Sequence, residues 1–398
     1  MRKGGYLKRP VLKFRDGTAL TPIEGFKLNF KPYRGAKSIS CYVICKGNVL
    51  HAAKEMINNL IYGVKGYEGL EAWFDCSLNV HSIVKVDAND EYVKVANEVS
   101  EDHDIVVAFI PDEMAVEYEE DPYMPLKRIL AAKGLPSQMI EESTCRHLRD
   151  NSYVLFNVAL SLYSKTGGIP WTLSEPLYFD CVIGLDSMNK GVAATVAYAT
   201  PLSFNWFIES GGREALTEAV ISCLKEAKTY KPIRRIAFHK DGPLHESEVE
   251  ALKAALNRAE EIGLVHDPLW CAFEVKSRFT PRILGTSALR FYNPEKGVYV
   301  QLDKFKAIVA TTGFPERPLS PAQSPVRPIM VEAVDGSWWD FDFERALTDV
   351  YWLSELHWAS GFTSTRLPIT TLYAKRICSF WRAGVEPSKQ LYGKLWFL

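Results

Sequence analysis

The sequence predicts an α/β protein made of two tandem domains, each with its own sheet. Three observations carry that reading. From Ser38 onward, apolar strand-like runs alternate with amphipathic helical runs. Near Pro170 and Trp171 a second series begins, with three strand candidates in a row before the next helix. At 398 residues, 47% hydrophobic and 24% charged, the chain has the length and composition for two ordered cores. The boundaries read as a basic lead-in over 1–37, a first domain over 38–169 and a second over 170–398.

The lead-in has short apolar patches, including Tyr6-Leu7, Val11-Leu12 and Phe26, broken by Gly and Pro, so it carries at most one or two strands. SISCYVICKG then forms a strand. HAAKEMINNLIYGV forms a helix with Ala53, Met56, Ile57, Leu60 and Ile61 on one face. HSIVKV is a strand, DEYVKVANEVS a helix with Asp90 as N-cap, and DIVVAFIP a fully apolar strand. A helix beginning at Tyr123, a short strand at 138–140 and a helix over 151–165 complete the domain. This alternation means a mostly parallel sheet, which binds ligands outside the carboxyl ends of its strands. Gly167-Gly168 stops the last helix.

In the second domain YFDCVIGLD is an apolar strand ending on Asp186. KGVAATVAYAT and FNWFIE follow as antiparallel neighbours, and a helix runs from Gly212 to Lys228. RRIAFHKDG is a strand ending at Asp241, and Val249, Leu252, Leu256 and Ala259 mark a helix closed by Gly263. Strands follow at LWCAFEVK, GVYVQL and VRPIMVEAV. Helices over 343–359 and from Pro368 onward finish the chain. Three strands, a helix, a strand and a helix are the order of a ribonuclease H-like domain.

Composition excludes several classes. No apolar run approaches the ~20 residues that a membrane span needs, and MRKGGYLKRP lacks the apolar core of a secretory signal. The eight cysteines are scattered; Cys41 and Cys45 have no second pair to make a zinc site, and Cys76, Cys181, Cys223 and Cys378 read as buried thiols. Cytoplasm is the expected location. The net charge is −1, but residues 1–40 carry ten Lys/Arg against Asp16 and Glu24, and residues 98–121 are acidic. That segregation suits one basic groove for a polyanion. His245-Glu246 is not followed by a histidine at Val249, so the helical zinc motif fails. There is no G-x-G-x-x-G after the first strand and no G-x-S-x-G.

The stretch from Asp121 to Gly168 collects the binding chemistry. Tyr123 and Lys127 lie one helical turn apart, Gln138 follows in PSQ, and Lys165 precedes the two glycines. A stacking ring, two ammonium groups and an amide suit a nucleotide end with its terminal phosphate. Taken alone, Tyr123 and Lys127 also fit a solvated helix face.

These features in this order resemble a short prokaryotic Argonaute, with a Rossmann-like MID domain followed by a ribonuclease H-like PIWI domain. The resemblance rests on Tyr123, Lys127, Gln138 and Lys165 with PSQ and SKTGG-PW, on HKDG at 239–242, on STRLPITTLYAKR at 364–376 and on the ending LWFL. It implies that Tyr123 stacks on the first base of a guide. Lys127, Gln138 and Lys165 would hold its 5′ phosphate, and the Leu398 carboxylate would help bind Mg²⁺ or another divalent ion there. Ser161 stands where some relatives have a glutamine, which bears on that metal dependence. No segment before residue 38 is long enough for a PAZ domain.

Ribonuclease H-type cleavage needs two divalent ions about 4 Å apart between carboxylates on neighbouring strand ends. Asp186 and Asp241 match the first and third positions of the PIWI tetrad, although both also fit plain strand-end turn residues. The fourth position falls on Lys375, whose ammonium cannot ligate a metal. For the second position Glu209 and Glu214 remain equal candidates. The expectation is a catalytically inactive Argonaute that holds a small RNA or DNA guide, pairs it with a complementary target strand and acts through a separately encoded effector in prokaryotic defence. Lys276, Arg278, Arg282 and Arg366 are candidates for backbone phosphates, with sequence read by base pairing. The alternatives are a metal-dependent guide-directed endonuclease and a protein-only scaffold.

Overall fold

A computed structural model describes residues 4–188, 192–199, 203–211, 214–287, 290–313, 318–320, 324–337 and 339–398. The chain divides into two compact units. One takes Leu12–Thr172 with Trp358–Phe362 and Ser379–Leu398; the other takes the residues up to Val11, Leu173–His357 and Thr363–Cys378. The lead-in is therefore shared rather than separate, and the end of the chain returns to the first unit. Burial explains the return: Val385, Leu391, Leu395, Trp396 and Phe397 are all core residues.

The first unit holds a four-stranded parallel sheet in the order Ser77–Val86, Ser38–Lys46, Ile105–Ile110, Ser137–Glu141. Ile105–Ile110 is buried at every position, as an unbroken apolar run in a covered parallel sheet requires. Helices Leu50–Tyr62, Asn89–Glu98, Tyr123–Ala132 and Ser152–Lys165 connect and cover the strands. Short helices at Leu70–Phe74 and Glu142–Leu148 were not foreseen; at 5 and 7 residues they are too short to show a period. Asp90 is not the N-cap. Ala88 holds that position, and Asp90 sits in the first turn, 2.8 Å from Lys94, where its charge also complements the helix dipole.

Asn151 caps Ser152–Lys165 by accepting from the N–H groups of Tyr153 and Val154 at 3.0 and 3.2 Å. Beyond Lys165, Gly167 turns left-handed at φ 95°, and the N–H of Gly168 donates to the Tyr163 carbonyl at 2.9 Å. The helix thus ends on Lys165, with Thr166 as its C-cap and the glycine pair turning the chain away.

The second unit holds a nine-stranded sheet. Its heart runs Ser203–Ser210, Val192–Ala199, Cys181–Met188, Arg235–Lys240, Leu269–Lys276. The first three are antiparallel neighbours and the last three are parallel, which is the ribonuclease H-like order. Ile329–Gly336, Lys306–Val309, Val298–Asp303 and Gly4–Tyr6 extend it on the other side. Gly4–Tyr6 pairs with Val298–Val300, which is why the first residues of the lead-in belong here. Helices Ala215–Lys228, Glu246–Glu261, Phe343–Ser354 and Ile369–Arg382 complete the unit's sequence of elements. Gly212, the expected start of the first of these, lies outside the described residues.

All eight cysteines are buried, and burial pushes the Cys41 thiol up to about 12. Among the described residues no helix is long and apolar enough to cross a membrane.

Candidate nucleic-acid interface

Lys127 and Lys165 are each 2% exposed, so both ammonium groups lie inside the first unit. They converge on one acceptor. Lys165 Nζ donates to the Ser137 carbonyl at 2.9 Å and Lys127 Nζ reaches the same oxygen at 3.4 Å. Lys165 also donates to Gln138 Oε1 at 2.8 Å, and Lys127 to the Trp396 carbonyl at 2.6 Å. The ring of Phe380 lies 5.6 Å from the Lys127 ammonium and 5.5 Å from the Trp396 ring. Three of the four residues singled out in sequence are therefore one cluster, and the C-terminal segment reaches it. Leu398, half-buried, follows two residues after Trp396, its N–H donating to the Leu395 carbonyl at 3.0 Å.

Tyr123 opens the helix one turn before Lys127, and its N–H donates to Asp121 Oδ1 at 2.9 Å. Its ring packs against the core of Val106, Leu126 and Leu130 while staying partly exposed. Ser161, one turn before Lys165, is half-buried. Phe380 and Trp396 were missed by sequence reasoning, because nothing local ties a residue near 390 to a helix near 127.

The cluster does not sit where the strand-end rule places a ligand. Ser137 is the first residue of its strand, level with Val106, so the ammonium groups gather at the amino end of an edge strand. That edge lacks a further strand, which leaves room for two helices and the C-terminal segment to bring side chains in. The carboxyl ends of Ser38–Lys46 and Ser77–Val86 instead border a separate cavity of about 540 Å³, lined by Lys46, Asn89, Asp90, Glu119, Glu120 and Asp121. Its carboxylates make it unfit for a phosphate.

In the second unit Asp186 and Asp241 come together as their strands dictate. Lys240, the last residue of its strand, pairs with Leu185 across parallel strands, so the register continued by one residue sets Asp241 level with Asp186. Helix Ile369–Arg382 closes over this face. A Cβ on Gly184 would lie 2.2 Å from the Thr370 backbone, so glycine is what allows the approach. His239 Nδ1 sits 3.3 Å from Thr370 Oγ1, and burial pushes that imidazole down to about 3. The same helix delivers Lys375, whose Nζ is 2.6 Å from Asp241 Oδ2; Ser277 Oγ donates to Asp241 Oδ1 at 3.1 Å. Lys240 faces away and pairs with Glu248, which also accepts from Ser187.

Of the two glutamate candidates, Glu209 ends a strand opposite Ala193 and is half-buried, while Glu214 is exposed. Among the described residues no group of three or more His, Cys, Asp or Glu side chains is arranged to hold a metal ion.

Arg366 is half-buried; burial lowers its pKa first, the charges of Arg327 and Arg282 lower it further, and Asp241 opposes them. Arg282, Arg327 and Arg366 thus form one electropositive group beside Asp241. Arg327 had not been singled out. Arg278 is exposed four residues before Arg282. Lys276 differs from the other phosphate candidates: its ammonium sits 2.5 Å from Glu274 and 3.2 Å from Glu332. Glu274 shares its strand face, a pairing that the two-residue period would have revealed.

The chain thus combines a parallel α/β unit that holds a buried ammonium cluster with a unit of ribonuclease H-like strand order. The Piwi domain profile matches residues 106–386, and the chain belongs to that family. It is 27% identical over 328 residues to the Protein argonaute of Aquifex aeolicus, covering 76% of this chain and 42% of that protein. To the Protein argonaute of Cereibacter sphaeroides it is 23% identical, covering 76% and 43%. The chain thus spans less than half the length of these curated relatives.

Among solved structures, Clostridium butyricum Argonaute bound to a guide DNA and a 19-mer target DNA matches with TM-score 0.75 and 24% identity, over 96% of this chain and 53% of that one. Drosophila Piwi matches with TM-score 0.77 and 18% identity, over 99% and 56%. At these identities the two likenesses speak for the fold.

Proposed function

We propose that this chain holds the 5′-phosphorylated end of a small nucleic-acid guide and pairs the guide with a target strand. The observation that carries the reading is the convergence of the Lys127 and Lys165 ammonium groups on the Ser137 carbonyl, beside Gln138 and Trp396. Two ammonium groups and an amide gathered at one point suit a terminal phosphate, which takes lysines as point-charge partners. Tyr123, one turn away, would take the first base. Arg278, Arg282 and Arg366 would take backbone phosphates, and Lys276 less so because its charge is already engaged. If a divalent ion binds at this end, the Leu398 carboxylate would be the group of this chain to hold it, and the ion would supply positive charge toward the phosphate.

The second unit, in this proposal, does not cut. The Lys375 ammonium stands against Asp241 on the face where two metal ions would be clamped. An inactive guide-holder needs an effector protein, and prokaryotic defence is the setting that the family suggests. The competing endonuclease reading draws on the adjacency of Asp186 and Asp241. Guide and target incubated with Mg²⁺ or Mn²⁺ separate the two, because a defined cut product abolished by Asp241→Ala would establish cleavage.

The binding test compares 5′-phosphate with 5′-hydroxyl oligonucleotides. Wild-type protein should prefer the phosphate, and Lys127→Glu with Lys165→Glu should erase the preference. A preference that survives the double change would move phosphate recognition away from these lysines, and a wild-type protein that prefers neither end would leave the protein-only scaffold as the better account.

A further inference from the structure

The loop that follows strand Leu269–Lys276 presents one aromatic ring with nothing around it. Phe279 is 101% exposed, and its backbone is left-handed at φ 56°. Both are unfavourable for this residue. A bulky side chain in that region clashes with its own backbone, and a benzyl group in water forgoes the gain of burial.

The loop is nonetheless held in place. Ser277, 4% exposed, donates to Asp241 Oδ1 at 3.1 Å, and Thr280 Oγ1 donates to the Pro328 carbonyl at 2.8 Å. These tethers lie two residues before and one residue after the ring. A conformation that disfavours its own residue, imposed from both sides, is the pattern of a group kept for a partner.

The surroundings say what partner. Arg278 precedes the ring, Arg282 follows it, and Arg282 is grouped with Arg327 and Arg366 beside Asp241. An exposed flat ring in a loop that also carries Arg278 and Arg282 suits a polyanion that bears flat apolar rings, which is a nucleic acid. An anionic protein partner would need an apolar pocket at the same spacing, whereas a nucleic acid carries a stacking face and a charge on every nucleotide.

We propose that Phe279 is a wedge that stacks on a nucleobase of the bound guide–target pair, adding an aromatic contact to the backbone contacts of the arginines. The inference rests on the nucleic-acid reading above and deepens it.

The test uses the full chain loaded with a 5′-phosphorylated guide, DNA and RNA in parallel, and titrated with complementary target. Phe279→Ala and Phe279→Gly should each weaken target binding about 5- to 100-fold, and Phe279→Trp should retain it. The tryptophan emission of that last variant should be quenched on target binding. Phe279→Gly should at the same time raise Tm, because glycine accepts the left-handed backbone. Target affinity within twofold of wild type in both the alanine and glycine variants would overturn the wedge while leaving guide holding intact. Failure of wild-type protein to bind any guide would overturn the functional reading, and the wedge with it.

Discussion

The Lys127 ammonium and the Trp396 carbonyl, 269 positions apart in the chain, are 2.6 Å apart in the fold. The candidate phosphate pocket is thus closed by a segment that the first domain, taken as residues 38–169, does not contain. Deleting Trp396–Leu398 removes both that acceptor and a fully buried indole. Loss of the indole should cost the first unit about 3–5 kcal/mol. Preference for a 5′-phosphorylated oligonucleotide should fall with it, as read by parallel titrations with phosphate and hydroxyl ends. A truncated protein that keeps both its Tm and its preference would rule out this closing role.

Substituting one lysine at a time gives a finer measure. Lys165→Ala removes a donor to Ser137 and Gln138 and should weaken binding of a phosphorylated end by ~1.5–3 kcal/mol, with little effect on a hydroxyl end. Equal loss for both ends would indicate general destabilisation instead.

Gly184→Ala tests how helix Ile369–Arg382 is seated. The added methyl meets backbone atoms of Thr370, which cannot rotate away as a side chain would. Overpacking of this kind should cost about 1–3 kcal/mol, visible as a lowered Tm of the second unit. A variant as stable as wild type would mean that the helix shifts without penalty.

Lys375→Ala should cost about 1–2 kcal/mol, because the lysine is 44% exposed but Asp241, 12% exposed, loses a charged partner. Denaturant unfolding decides this: a loss of several kcal/mol would show that the pair with Asp241 is structural. Metal-dependent cutting is expected to be absent in both proteins.

Three buried groups contribute to the acid response with signs that can be separated. Burial pushes His239 and His357 down to about 3, so between pH 6.5 and 3 the unfolded chain takes up protons that the folded chain does not. Their stability is present above pH 6.5 and is lost as pH falls. Asp349 runs the other way: burial raises it to about 7 against two backbone N–H donors, so its contribution is full below pH 3.8 and is lost as pH rises through about 7. His239→Gln should therefore flatten the acid slope by about 1.4 kcal/mol per pH unit, and Asp349→Asn should steepen it by a similar amount. Urea unfolding at pH 4, 5 and 6 reads both; slopes identical to wild type would refute the assignment.

What the sequence made legible was local. Ile105–Ile110 and Leu269–Lys276 announce themselves as apolar runs, and helix Ile369–Arg382 by its period and its Pro368. Asp186 and Asp241 were readable because each follows an apolar run, although strand Cys181–Met188 continues two residues past Asp186 instead of ending on it. The ammonium cluster was readable only as spacing around Tyr123; its amino-end position depends on which strand lies at the sheet edge, which no single segment encodes. Phe380, Trp396 and Arg327 reach their sites through long-range packing, so no window of neighbours reveals them. Strand Lys306–Val309, only 4 residues long, was too short to stand out.

The return of Ser379–Leu398 to the first unit also sets a timetable for synthesis. A ribosome makes residues 12–172 early, yet the last wall of the ammonium pocket emerges only after the whole second unit has been translated. A nascent chain paused anywhere before residue 396 carries both lysines without the carbonyl that anchors one of them. The lysine cluster is therefore complete only once translation has passed that point.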